Sequence, residues 1–245
     1  MVKEVEQKLG ASMNIMILGA GGGIGQALVE SYLGDPGVER IYATHHRSVS
    51  SISPQVRWLR LDLTDPVSMG EVTEYIEEPI DRWICCTGIL AGSHGGPEKT
   101  LRQLQSEKLL HDYQVNAVGP LTVFSSLASR LRTNGMRAIF LSAQVGSIGD
   151  NRLGGWYGYR MSKAALNMGV RCLAIECGRW RSAPAVVAVH PGTTRSGLSQ
   201  NFIQARMASV QTAAQCAIQL KGLIESLTAE QNGQFLSLNG ESVPW

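Results

Sequence analysis

A chain of 245 residues with 44% hydrophobic and 17% charged side chains can bury a full core, and it falls within the range of one α/β domain. Its net charge of +2, with no basic run, argues against a nucleic-acid or membrane surface as partner. The odd set of cysteines, Cys85, Cys86, Cys172, Cys177 and Cys216, contains no Cys-x-x-Cys, which argues against a disulfide framework or a zinc site and for a reducing, cytoplasmic compartment. All of them read as small buried apolar groups.

Residues 1–8 are charged and lack the apolar stretch of a secretory signal, so residues 1–12 read as a leader before the first strand. No run of about 18 apolar residues suggests a membrane span. Residues 14–18 are a short apolar run ending in glycine, expected as a buried strand entering a tight turn, and residues 24–33 read as a helix. Strands follow at 40–44 and 56–61. Pro66, after Thr64 and Asp65 as candidate caps, opens a helix running to about Glu77. The fourth strand is placed at 82–87. A long helix is expected over 107–132, kinked at Pro120, and a fifth strand at 137–142. A second long helix is expected at 159–179 and a sixth strand at 185–189. A helix at 210–227, introduced by Ser209 or Thr212, and a strand at 235–238 complete the series. Strands apolar on both faces, alternating with helices, predict an α/β fold of one domain: a doubly wound parallel sheet with helices on both sides.

Gly19-Ala20-Gly21-Gly22-Gly23-Ile24-Gly25 stands between the first strand and its helix. Glycine there lets backbone approach a pyrophosphate while the helix N-terminus faces its charge, though such a turn can also be purely structural. The second strand ends in Thr44-His45-His46-Arg47 without an acid. An acid there would bond the ribose hydroxyls. Arg47, with His45 or His46, could instead bind a 2′-phosphate, which favours NADP(H) over NAD(H); the alternative is a solvated loop arginine. Asp62 either bonds the adenine amino group or caps the next helix.

Tyr159 and Lys163 lie four apart on one helix face. An ammonium beside a phenol is expected to lower the tyrosine pKa and make it an acid/base group. The rival Tyr157 has Met161 at the same spacing, which cannot tune a phenol. Ser142 ends the fifth strand. His94 and His190 read as structural or surface groups, and neither metal-ligand spacing nor a serine-nucleophile elbow is present.

In order along residues 14–245, these features resemble the short-chain dehydrogenase/reductase superfamily. The carriers are Gly19, Gly23 and Gly25; Asp62; Val115-Asn116-Ala117; Ser142; Tyr159 with Lys163; and His190-Pro191-Gly192-Thr193-Thr194. Residues 154–167, the segment 190–194 and Val243-Pro244-Trp245 are similar to C-factor-like carbonyl reductases. The resemblance implies a Rossmann fold of about seven strands. It implies NADP(H) held by Gly19, Gly22, Gly23, Ile24, Gly25, Arg47, Asp62, Leu63, Thr87, Gly88, Pro191, Gly192, Thr193 and Thr194, together with Tyr159 and Lys163. It makes Tyr159 the proton donor and Lys163 the group that tunes it and bonds the nicotinamide ribose. Ser142 would orient the carbonyl oxygen, and Asn116 would hold a water that relays protons to Lys163.

The activity so implied is NADPH-dependent reduction of small apolar or aromatic aldehydes and ketones. An NAD(P)-linked alcohol dehydrogenase is one alternative. A non-catalytic NADP(H) sensor is another, against which the presence of Ser142, Tyr159 and Lys163 argues. Residues 191–206 are expected to pass over the nicotinamide, with Leu198, Phe202, Ile203 and Met207 as a lid and Trp156, Ile148 and Leu153 as walls. Three features depart from the family. Cys85-Cys86-Thr87-Gly88 replaces Asn-Asn-Ala-Gly, Gly22 replaces a basic residue, and the loop 151–156 is enlarged beside the substrate pocket. In many relatives the helices matching 107–132 and 159–179 pair subunits, which is compatible with a homodimer or homotetramer, although monomeric members exist.

Overall fold

The structure, a computed structural model, describes residues 12–47, 53–92, 94–200, 202 and 210–245. In chain order its principal elements are β1 (Met13–Leu18), α1 (Gly23–Tyr32), β2 (Val38–His45), β3 (Val56–Arg60), α2 (Pro66–Tyr75) and β4 (Arg82–Cys85). Then come α3 (Ser106–Tyr113), a π turn (Gln114–Val118), α4 (Gly119–Ser126), β5 (Arg137–Leu141), α5 (Tyr157–Cys177) and β6 (Ala185–His190). Short strands β7 (Thr193–Thr194) and β8 (Val210–Gln211) pair with each other, and α6 (Ala213–Ser226) and β9 (Phe235–Ser237) follow.

The main sheet has seven strands, all parallel, in the order β3-β2-β1-β4-β5-β6-β9. Alternate side chains of each strand enter opposite layers. Ile15, Ile17, Ile84, Ile139 and Val187 pack with Leu28, Val29 and Tyr32 of α1 and with Leu220 and Ile224 of α6. Met16, Leu18, Trp83, Phe140 and Val186 pack on the other face with Val72 of α2, Phe124 of α4, and Leu166 and Val170 of α5. From β1 the chain moves outward to β2 and β3, then crosses back to β4. The order therefore reverses between β1 and β4, and a crevice opens beyond the carboxyl ends of those two strands. This is the expected doubly wound fold.

Several boundaries differ from expectation. The helix expected over 107–132 is broken by the π turn, where Gly119 N–H bonds Gln114 C=O five residues back, and its last helical residue is Ser126. Pro120 falls in the first turn of α4, where its missing N–H costs little. Beyond it the chain tightens into turns, with Ala128 N–H on Ser125 C=O at 3.1 Å and Arg130 N–H on Leu127 C=O at 2.8 Å. α5 starts and ends two residues earlier than expected. Residues 210–211 are extended rather than helical. Thr212 caps α6, accepting from Gln215 N–H at 3.2 Å while Gln215 Oε1 accepts from Thr212 N–H at 2.9 Å. Ser209 and, apart from Ser12, the expected leader lie outside the described residues. Cys85, Cys177 and Cys216 are buried and Cys86 is half-buried, but Cys172 is exposed on the outward face of α5, against the uniform buried reading. Among the described residues no helix is long and apolar enough to cross a membrane.

Candidate active site

The glycine turn lies at the point where the strand order reverses. Gly19 has φ +80°, and a Cβ there would lie 2.9 Å from Thr87 Cγ2 and 3.0 Å from Thr87 N. A Cβ on Gly25 would lie 2.7 Å from Ala20 Cα, so the turn and the start of α1 interlock without room for a side chain. Gly19 N–H donates to Thr44 Oγ1 at 2.9 Å, which fastens the turn to the end of β2. Gly22, the N-cap of α1, supplies no side-chain bond, no acidic residue stands in the first turn, and Gly21, Gly22 and Gly23 are exposed. The N–H groups of Gly23, Ile24 and Gly25 therefore form an uncapped helix N-terminus beside the close-packed glycine turn. Those features fit the pyrophosphate of a dinucleotide. Ser196, in the loop after β7, covers the turn, its Cβ 3.3 Å from where a Cβ on Gly23 would stand.

Thr87 accounts for the Cys-Cys-Thr-Gly departure. Its methyl packs on Gly19 and its Oγ1 lies 3.1 Å from Cys85 Sγ, so the strand end closes on itself without asparagine. On the far rim His46 and Arg47 are exposed beyond β2, and His46 Nε2 is 3.4 Å from Asp62 Oδ2. Asp62 Oδ1 accepts from Thr64 N–H at 2.8 Å and Thr64 Oγ1–H at 2.7 Å. Those bonds hold its carboxyl below the usual range. The cap of α2 is Asp65, accepting from Val67 N–H at 2.9 Å, which corrects the helix-cap alternative for Asp62. Leu63 is buried, and its C=O accepts from Gln114 Nε2 at 3.0 Å, seating the end of β3 on the π turn.

The π turn carries Asn116, which is wholly buried. Its Oδ1 accepts from Ile89 N–H at 2.7 Å, and its Nδ2 donates to Ile89 C=O at 3.0 Å and to Ser162 Oγ at 2.9 Å. Asn116 thus fastens the loop after β4 to α5. Gly88 sits in that junction, where a Cβ would lie 3.3 Å from Lys163 Nζ and 3.6 Å from Asn116 Oδ1. Lys163 therefore lies close against the loop after β4, with little room for a side chain at Gly88.

Tyr159, Lys163 and Ser142 are all buried. The Lys163 ammonium donates to Leu141 C=O at 2.9 Å and lies 5.9 Å from the centre of the Tyr159 ring. Burial pushes the Tyr159 pKa up to about 12, and burial pulls that of Lys163 down to about 8. The expected lowering of the Tyr159 pKa by Lys163 is not what this arrangement produces. Desolvation of the phenolate outweighs an ammonium held on a backbone carbonyl. Ser142 Oγ donates to Asn167 Oδ1 at 2.6 Å, and Asn167 Nδ2 faces Gly146 C=O at 3.4 Å, which fixes the amide orientation. Asn167 was missed from sequence, although it continues the series Tyr159, Lys163 at the same i, i+4 spacing on one face of α5.

Downstream of β6, Thr194 is buried and donates through Oγ1 to Pro191 C=O at 3.1 Å, so its hydroxyl serves the loop itself. Gln211 Nε2 donates to the same carbonyl at 2.6 Å, and Gly192, with φ +65°, makes the turn between them. Thr193, on β7, is half-buried. His190 Nδ1 accepts from Gln144 N–H at 3.2 Å and burial lowers its pKa, so it is a neutral structural group. His94 packs on His111 with ring centres 4.7 Å apart and ring planes tilted by 47°. Trp156 meets Tyr159 and Phe202 edge-on at 6.5 Å and 5.6 Å, forming an aromatic wall. Ile148 and Leu153, expected as walls, are 78% and 91% exposed. Leu198 reaches Gly88, whereas Ile203 and Met207 lie outside the described residues.

A parallel sheet with a glycine cradle at its reversal point, and a buried Tyr–Lys pair beside it, defines an oxidoreductase of the dinucleotide-binding class. The chain belongs to the short chain dehydrogenase family, whose sequence model matches residues 13–207. It is 32% identical over 137 residues to the C-signal protein of Myxococcus xanthus, covering 54% of this chain and 76% of that one. Its fold matches the carbonyl reductase Sniffer of D. melanogaster with a TM-score of 0.83 at 22% identity, over 96% of this chain and 100% of that one. It also matches the NADPH-bound carbonyl reductase from chicken fatty liver with a TM-score of 0.84 at 21% identity, over 98% and 97% of the two chains.

Proposed function

We propose that the protein is an NADPH-dependent reductase that converts the carbonyl group of a small apolar or aromatic aldehyde or ketone to an alcohol. The observation that carries this reading is the buried Tyr159 phenol on the same helix face as the buried Lys163, whose ammonium lies 5.9 Å from the centre of its ring, beside the loop that follows β4. A proton donor must hold its proton until the alkoxide develops. NADPH, when bound, supplies the hydride. Tyr159 Oη–H gives its proton to the substrate oxygen. Ser142 Oγ, with its hydrogen on Asn167, offers lone pairs that align the donor and the product hydroxyl. Asn116 holds the Gly88 loop and α5 in register. Thr193, Gly192 and Pro191 would hold the nicotinamide side of the cofactor, Asp62 and Leu63 its adenine side, and Trp156 with Phe202 would favour apolar substrates.

Preference for NADPH rests on the acid-free end of β2, on the exposed Arg47, and on the NADPH held by the chicken relative. The test is cofactor consumption across a panel of aldehydes, ketones and quinones with NADPH and NADH in parallel. Arg47→Ala should lower kcat/KM for NADPH by about 10- to 100-fold, the worth of a charge-assisted bond to phosphate, and leave NADH unaffected. Equal rates with the two cofactors in the wild-type protein would remove the NADPH assignment.

The same reading includes a second copy of the chain as partner. Met161, Met168 and Ile175 are 57%, 65% and 51% exposed at seven-residue spacing on α5, beside Leu110 and Tyr113 of α3 at 67% and 47%. Exposed apolar side chains repeated along one helix in this way call for a cover. Sedimentation should show a dimer or tetramer that Met168→Glu dissociates, and a monomeric wild type would refute it.

A further inference from the structure

The first turn of α5 carries Tyr159 and has no cap of its own. Trp156, at its N-cap, is left-handed with φ +51° and makes no side-chain cap bond, and no acidic residue stands in the turn. Three successive residues, Gly154, Gly155 and Trp156, have φ of +61°, +65° and +51°. A tryptophan in that region is strained and persists only where its surroundings hold it.

The hold comes from 60 residues upstream. Glu98 Oε2 accepts from Gly158 N–H at 3.0 Å, and Glu98 C=O accepts from Trp156 N–H at 2.5 Å. One residue therefore grips both sides of the helix start. Glu98 is only 2% exposed, and its other carboxylate oxygen lies 3.2 Å from Lys108 Nζ, which also pairs with Asp112 one turn along α3. Burial opposes the charge on Glu98, but backbone N–H groups, that of Gly158 among them, together with Lys108 outweigh it and hold the carboxyl below its usual range. The site also dictates Gly158. A Cβ there would collide with Asp112 Oδ2 and stand 3.1 Å from Glu98 Oε1.

We infer that Glu98 is a positioning residue for the reductase reaction, a long-range cap that fixes the first turn of α5 and thereby places the Tyr159 phenol and the Trp156 wall. This rests on the reading of Tyr159 as the proton donor. A carboxylate at this end complements the helix dipole and satisfies an amide that has no local partner. Lys108 acts one step behind, keeping Glu98 ionised and oriented. Displacing a reacting group by about 1 Å can cost roughly 100-fold in rate.

The test compares Glu98→Ala and Glu98→Gln with wild type by steady-state kinetics, NADPH Kd from fluorescence, and amide hydrogen exchange of residues 157–161. For Glu98→Ala, kcat should fall about 10- to 100-fold with NADPH Kd within about threefold, since the glycine turn is elsewhere. Exchange in 157–161 should quicken by about tenfold or more while that of 166–174 stays as in wild type. Glu98→Gln keeps one oxygen for Gly158 N–H and should regain most of the lost kcat. Should Glu98→Ala not fold, Glu98→Asp, whose carboxylate is one methylene too short to keep the Gly158 N–H, decides: slower kcat and faster exchange at unchanged Kd support the assignment, and neither change overturns it. Unaltered exchange in Glu98→Ala overturns the cap whatever the enzyme turns over. Faster exchange with unaltered kcat overturns its role in placing Tyr159, as does a joint fall of kcat and NADPH affinity that glutamine does not relieve. A wild-type protein inactive on every carbonyl counts against the reductase reading alone, and exchange then decides the cap.

Discussion

Tyr159→Phe is expected to lower kcat for carbonyl reduction by about 10²- to 10⁴-fold, the usual contribution of a positioned general acid. NADPH Kd should stay within about threefold, because on the proposed reading the pyrophosphate sits at the glycine turn and the phenol is one of many contacts to the cofactor. The substitution removes one oxygen from a side chain that is 8% exposed and edge-on to Trp156, so the ring should remain in place. Stopped-flow measurement of NADPH oxidation separates the two quantities. A variant that reduces carbonyls within about threefold of wild type would mean that another group donates the proton. The structure offers no comparable donor among the described residues near Lys163. Ser142 has its hydrogen on Asn167, and His190 is buried, neutral and already accepting from Gln144.

Lys108→Met is expected to lower stability by about 3–5 kcal/mol, the cost of leaving buried charge uncompensated. For a chain of this size that corresponds to a fall in Tm of roughly 6–20 °C. Glu98 and Asp112 would face each other across the emptied position, both nearly inaccessible to water. Burial already raises the Asp112 pKa, and loss of the ammonium would raise it further. The sign of the pH dependence follows. A carboxyl whose folded pKa exceeds its unfolded value destabilises the fold above the folded pKa, and the penalty disappears as pH falls through it. Thermal melts at neutral and mildly acidic pH should therefore show the deficit shrinking on acidification. A deficit that is small, or the same at both pH values, would mean that the two carboxylates do not depend on Lys108.

The two expectations meet at one helix. α5 places Tyr159, Lys163 and Asn167 on one face by spacing alone, but its start is secured by a residue of the loop after β4 and by a lysine of α3. Rate and stability are coupled there through Glu98. Asn116 reaches the same helix from the π turn through Ser162, so α5 is pinned at Gly158 and again at Ser162.

What the amino-acid sequence determined by itself was local. Apolar runs such as residues 14–18 and 137–141, alternating with helical stretches, dictate a buried parallel sheet because no other layer arrangement covers both faces. The glycines at 19 and 25 dictate a tight turn because a side chain at either would clash, and Tyr159 with Lys163 share a face because residues four apart must. Tertiary structure decided the rest, wherever the deciding partner is distant. The π turn that aims Asn116 has no period to read, and its register shows only once Leu63 and Ile89 are in place. Asp62 and Asp65 are equivalent as cap candidates until the turn assigns one to Thr64 and the other to Val67. The tyrosine pKa moved opposite to its expected direction because burial is a property of the whole fold, and spacing along a helix cannot report it. Glu98 reads as one more loop carboxylate until folding carries it across 60 residues to the start of α5, where the dry interior makes its charge count.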